Sequence, residues 1–205
     1  GPDDRIVRLW QSTGLERTEH WESLLKEISP EAYEAKNRVS PLALAGYAFL
    51  SGTRLKAINY NTQLISEPDL PQTRVDLGNP KYKGTYVLEP FTTTSEFGIL
   101  VYPKERWLEI LRSWSVWGPP LMSNQAGVDR MMLGEFKFLP ANAHHVFQMK
   151  EKNPKAPIGL TFFRDLTPQS YVFHVVQKGA KHPNAAKLFA LWTTTAEANR
   201  IFENP

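Results

Sequence analysis

The 205-residue chain contains no cysteine, which excludes a disulfide framework, a thiol nucleophile and any cysteine metal site. No apolar run approaches the roughly 18 residues that a membrane span needs. An excess of one charge is also missing: 24 Lys+Arg stand against 21 Asp+Glu, a net charge of +3. So small an excess, spread along the chain, leaves no electrostatic footprint for nucleic acid. The basic stretches at 150–155 and 178–187 are diluted by Pro, Asn and Ala, and read as solvated surface or as a docking patch. There is no G-x-S-x-G nucleophile elbow, Walker loop, Rossmann glycine fingerprint or H-E-x-x-H pair. The expectation is a protein that is not an enzyme and needs no cofactor.

What is present is enough to build a core. Hydrophobic residues make up 41% and aromatic residues 12% of the chain, with 22% charged, so a folded body of one large domain or two small lobes is expected. Gly1-Pro2 reads as the scar of a protease-removed tag, which makes the chain's start uninformative about a signal peptide. Thr18 is placed to cap a helix that Pro30 ends, and Ser29-Pro30-Glu31 to cap a second through about Lys36. Leu42–Leu50 is almost wholly apolar, Ser51-Gly52-Thr53 is expected to break it, and Arg54–Tyr60 alternates as a strand does. Pro68, Pro71, Gly78 and Pro80 punctuate a long connection. Thr85–Leu88 reads as a short strand, and a helix is expected to run up to Tyr102. Pro103 opens another, with Trp107, Leu108, Leu111 and Trp114 as its core stripe. Ser123-Asn124-Gln125 opens a helix that buries Val128, Met131 and Met132 and closes at Gly134. Phe136–Phe147 is strand-like in part, and Lys150–Pro157 reads as a charged linker. Strands at Ile158–Phe163 and Tyr171–Val176 precede helices at Pro183–Trp192 and Ala196–Phe202. This alternation of strands and helices indicates an α/β fold.

Three segments, in order, resemble the iron/polyamine/thiamine-type family of solute-binding proteins of ABC transporters. Ala57-Ile58-Asn59-Tyr60-Asn61-Thr62 is similar to the family's YNT crossover strand. Pro71 through Gly84, with Thr73, Asp76, Leu77, Pro80, Tyr82 and Lys83, is similar to its connector into the second lobe, with Val75 where Trp is usual. Lys178-Gly179-Ala180-Lys181-His182-Pro183, followed by Asn184 through Phe189, is similar to its return into the first lobe. The resemblance implies a type II periplasmic-binding-protein-like fold with one complete lobe and part of the other. The expected division is 1–59 as partial first lobe and crossover, 60–157 as second lobe, and 158–205 as return to the first. Since family members run longer, the chain reads as a fragment. The implied partners are a small-molecule solute held in an interlobe cleft and the membrane permease of an ABC transporter. A periplasmic or extracellular location and a monomer are expected. A sensor module reusing the fold, or a fragment without ligand competence, are the other readings.

Clefts of such folds lie at the carboxyl ends of strands, where helix N-termini favour an anion. Thr92, Thr93, Thr94 and Ser95 follow the strand ending at Leu88 and suit hydroxyl contacts to an anionic solute, or an N-cap. Ser123, Asn124 and Gln125 offer donors and acceptors at the next helix start, again with capping as the other use. Tyr60 and Asn61 are the crossover candidates, although Tyr60 also suits packing. Glu89, Glu96 and Asp165 are carboxylates for a cationic ligand. Arg130 and Arg164 suit an anion or a surface salt bridge. His144 and His145, read as strand neighbours, point to opposite faces and do not make a metal pair.

Overall fold

The computed structural model describes residues 14–35, 45–90 and 98–203. In chain order the elements are β1 (Leu15–Glu16), α1 (Trp21–Ile28), α2 (Pro30–Ala35), β2 (Ala48–Asn61), α3 (Lys104–Ser115), α4 (Asn124–Met132) and β3 (Phe138–Asn142). They continue with α5 (His144–Lys152), β4 (Ile158–Thr161), β5 (Gln169–Gln177), α6 (Pro183–Trp192) and α7 (Ala196–Glu203). Among the described residues no helix is long and apolar enough to cross a membrane. The chain divides into two compact units, one of residues 1–53 with 171–205 and one of residues 54–170.

The larger unit, 54–170, is a sheet covered on both faces. The second half of β2 pairs antiparallel with β3, Lys56 opposite Asn142 and Tyr60 opposite Phe138, and with β4, Ile58 opposite Thr161. Successive strand side chains alternate between faces. Ile58, Tyr60 and Phe138 therefore join Tyr82, Tyr86 and the α3 residues Trp107, Ile110 and Trp114 in one cluster. Leu139, Ala141 and Ile158 meet Val128 and Met131 of α4 and Val146 of α5 in another. Gly127 lets α4 lie close on the sheet, since a Cβ there would fall 2.8 Å from Leu139 Cδ2. The residues Tyr86 and Leu88 form single parallel bridges to Phe138 and Leu121 instead of a continuous strand.

In the smaller unit β5 lies between β1 and β2. Its core is Leu25 of α1, Phe49, Val176, and Ala190 and Leu191 of α6. Ser29 Oγ donates to Thr194 O, and Lys187 pairs with Glu16 at 2.8 Å.

Several sequence expectations change. Ser51-Gly52-Thr53 does not break β2, which runs through it because partners on β5 pair the backbone. The two compact units divide at 53/54 and 170/171, and β4 is paired to β2 within the larger one. Thr18 does not cap α1: it is buried, its N–H donates to Gly46 O, and His20 occupies the cap with φ 53°. Lys150 and Lys152 are the last turn of α5 and not a linker. The α3 stripe is Trp107, Ile110 and Trp114, whereas Leu108 is 39% exposed. A helix leaves i, i+3 and i+7 on one face, and i+1 lies about 100° away.

That stripe is testable by urea unfolding. Ile110→Ala is expected to cost about 2–5 kcal/mol, and Leu108→Ala within about 0.5 kcal/mol of nothing. Equal shifts of the two midpoints would contradict this packing.

Candidate functional site

Backbone direction brings a set of polar side chains to one edge of the larger unit. The segment ending at Leu88, the segment through Leu121 and strand β3 run parallel, so their carboxyl ends share that edge. Glu89 follows the first, Ser123 and α4 follow the second, and Asn142 and α5 follow the third. Because β2 is antiparallel to β3, Lys56 arrives at the same edge opposite Asn142. The carboxyl edge of such a sheet, with helix N-termini behind it, is where α/β folds place ligands.

The centre of the cluster is Glu89, 8% exposed. Lys56 Nζ lies 2.6 Å from its Oε2, and Asn124 Nδ2 donates to its Oε1 at 2.9 Å. A carboxylate accepts only, so this bond orients the Asn124 amide and leaves Oδ1 facing away from Glu89. None of the described residues donates to Asn124 Oδ1 or to the buried Asn142 Oδ1, and His145 Nε2 is likewise without a protein partner. His145 is 9% exposed. Burial, and then the neighbouring His144, hold its imidazole down at about 4, with Glu89 opposing and Lys56 and Arg54 adding to the effect. It is therefore neutral at neutral pH. Lys56 and Glu89 pair with each other, and Arg54 is a further cation near His145.

The sequence candidates divide accordingly. Thr92, Thr93, Thr94 and Ser95, together with Glu96, lie outside the described residues. Of the next group only Asn124 reaches the cluster: Ser123 Oγ caps α4 by accepting from Ala126 N, and Gln125 Nε2 donates to Asp129 Oδ1 on the exposed helix face. Tyr60 and Asn61 sit at the other end of β2, about 13 Å and about 17 Å from Lys56 at roughly 3.3 Å per residue. Tyr60 is packed in the core against Gly159, and Asn61 donates to Met131 O and accepts from Gln63 N.

Asp165 is committed elsewhere, accepting from Arg74 N and from the Tyr102 hydroxyl. Arg130 pairs with Glu135 at the surface. His144 and His145 are not strand neighbours but the first turn of α5, with ring centroids 4.1 Å apart. Sequence reasoning passed over Lys56, Asn142 and His145 as site members. The available signal was a lysine within an alternating strand and polar residues at the end of the apolar run 138–141.

Two stability effects follow. Lys56→Met strips a partly buried carboxylate of its cation and is expected to cost about 3–5 kcal/mol. Adding Glu89→Gln should restore at least half of that loss in the same urea titration. His145 has a folded pKa below its unfolded value of about 6.5, so the unfolded chain binds the extra proton. Its contribution is complete above about pH 6.5 and is lost as pH falls toward 4, on the order of 2 kcal/mol. Urea midpoints at pH 7 and pH 4.5 should therefore differ less in His145→Gln than in the parent.

No protein-family model and no curated protein matches the sequence. Solved structures do match. The chain is similar to iron-bound HitA from Pseudomonas aeruginosa, with TM-score 0.69 and 20% identity over 95% of this chain and 62% of that one. It is similar to the periplasmic binding protein AfuA from Actinobacillus pleuropneumoniae, solved with exogenous fructose-6-phosphate, at TM-score 0.70, 18% identity, 91% and 59% coverage. The spermidine/putrescine ABC transporter substrate-binding protein PotD from Streptococcus pneumoniae matches at TM-score 0.61, 14% identity, 95% and 61% coverage. The chain thus has the α/β fold of the type II periplasmic binding proteins, and it spans less than two thirds of the length of each of these relatives.

Proposed function

We propose that this chain is the ligand-holding part of a solute-binding protein serving an ABC-type uptake system, and that its ligand is a small polar, anionic solute. The observation that carries the reading is the polar edge at Lys56, Glu89, Asn124, Asn142 and His145, which stands at the carboxyl ends of parallel segments. The N-termini of α4 and α5 start at that edge. Unpaired N–H groups there, together with the helix dipole, favour a carboxylate or phosphoryl oxygen. The likeness in fold to the periplasmic binding protein AfuA and to the ABC transporter substrate-binding protein PotD supports the same class. On this reading Thr92, Thr93, Thr94 and Ser95, which begin three residues after Glu89 in sequence, add hydroxyl contacts to the anion. The protein acts outside the cytoplasm as a monomer and hands its solute to a membrane permease. No chemistry is performed on the solute, and a bound state is selected because ligand contacts lower its free energy.

A thermal-shift screen against phosphate, phosphonates, small carboxylates, polyamines, thiamine and ferric salts tests the reading. An anion present at about 100 times its Kd stabilises by roughly 2.7 kcal/mol, which raises Tm by about 2–4 °C in a chain of this size. A shift with an anionic class is expected. Shifts confined to polyamines or ferric salts would overturn the anionic assignment, and a flat screen would overturn ligand binding by this chain.

A further inference from the structure

We infer that the larger unit holds a second ligand site, at the end of β2 remote from Glu89, and that it takes a small organic polyanion through Lys81 and Lys137. A cavity of about 510 Å³ opens there, walled by the turn at 62–66, the 3-10 turn at Pro80–Tyr82 and Lys137. All its lining residues belong to the unit 54–170. Thr62 follows the last residue of β2 and lies roughly 20 Å along the chain from Lys56, at about 3.3 Å per residue. The cavity is therefore separate from the edge assigned above to the solute.

The walls are fixed from the core. Asn61, 3% exposed, donates to Met131 O and accepts from Gln63 N, and its carbonyl accepts from the N–H groups of Leu64 and Ile65. Tyr82, equally buried, sets its ring edge against Phe138 at 5.5 Å and donates its hydroxyl to Asp69 O. Lys137 N donates to Thr85 O at 2.7 Å and closes the third side. A concave site ordered before its ligand arrives loses little entropy on binding.

Hydrogen bonding decides the sign of the ligand. The carboxylates in and around the cavity are engaged. Asp69 accepts from the Ser66 hydroxyl, Glu67 from the Thr161 hydroxyl, and Asp76 from Gln72 N, Thr73 N and the Thr73 hydroxyl. Glu135, two residues before Lys137, pairs with Arg130. The two ammonium groups are not so engaged. Lys81 Nζ stands 4.6 Å from the centre of the Tyr82 ring, in the field of Asp69 and Asp76, and among the described residues neither Lys81 nor Lys137 forms an ion pair. An ammonium has three donors, and its bonds to carboxylate or phosphoryl oxygen are among the strongest available. Two such groups against the single lining carboxylate, Asp69, suit a ligand with at least two anionic groups, a di- or tricarboxylate or a diphosphate. Thr62 and Gln63 add a hydroxyl and an amide.

Amide chemical shifts test this residue by residue. Citrate and pyrophosphate are titrated at constant ionic strength into the 15N-labelled protein, and at least one is expected to give saturable shifts at Gln63, Leu64, Ser66 and Thr85. Lys81→Gln and Lys137→Gln, both at exposed side chains, should each weaken that binding at least threefold, and together at least tenfold. Lys81→Arg, which keeps the charge, should stay within about threefold of the parent. Lys83→Gln removes the same charge two residues away, but its ammonium stands over the Trp117 ring at 5.6 Å and does not line the cavity; it should change affinity less than twofold. Melting of each unliganded variant checks its fold. No saturable shift at the four amides overturns the site. So does a loss with Lys83→Gln equal to that with Lys81→Gln, which marks diffuse surface charge. Shifts confined to Asn124, His145 and their neighbours overturn this inference while supporting the solute-binding reading, so the two fail separately.

Discussion

A carboxylate withdrawn from water must be met by a cation and by donors, and Glu89 is met by Lys56 and Asn124. This junction ties together a strand, the end of a second segment and the start of a helix that are far apart in the chain. It also fixes what the site can offer. With the lysine committed to Glu89, and His145 held neutral by burial, the groups left without a partner among the described residues are two buried amide oxygens and a buried imidazole nitrogen.

A second buried charge organises the connection leading into the sheet. Arg74 is 2% exposed, its guanidinium stacks 4.8 Å above the Phe163 ring, and its Nε donates to Leu166 O. Burial lowers its pKa to about 10 against the opposing pull of Asp165. Trp114 Nε1 donates to Arg74 O, and the Tyr102 hydroxyl donates to Asp165. Through these contacts the loop after β4, the 3-10 turn at Val75–Gly78 and helix α3 become one body. Burial and the carboxyl of Asp165 both push the Tyr102 hydroxyl up to about 12, so this network keeps its protons across the physiological range.

Much of the fold was legible along the chain. Helix α6 begins at Pro183 and ends at Trp192 as its Pro start and apolar face require, and Ser123 caps α4. The three family-like segments pointed to the α/β fold that the solved structures share. Reading failed where a partner strand decided the outcome. Gly52 looks like a break in isolation, yet β2 has β5 as its neighbour in the sheet and runs through it. His144 and His145 were read as strand because apolar residues surround them, whereas the turn at Ala143 starts a helix there.

The division between the two sources of information has a physical basis. Caps, periodicity and proline act within a turn or two of chain, so the sequence by itself determined where most helices lie and which class of fold they build. The candidate site depends on pairings such as Lys56 with Glu89 and Asn142, and on Asn124 reaching Glu89 across 35 residues. No local rule relates those positions. Asn124 and Gln125 are adjacent polar residues at one helix start, indistinguishable in sequence. Only the packed sheet, by placing Glu89 beside the first and leaving the second in water, decided which of them belongs to the site.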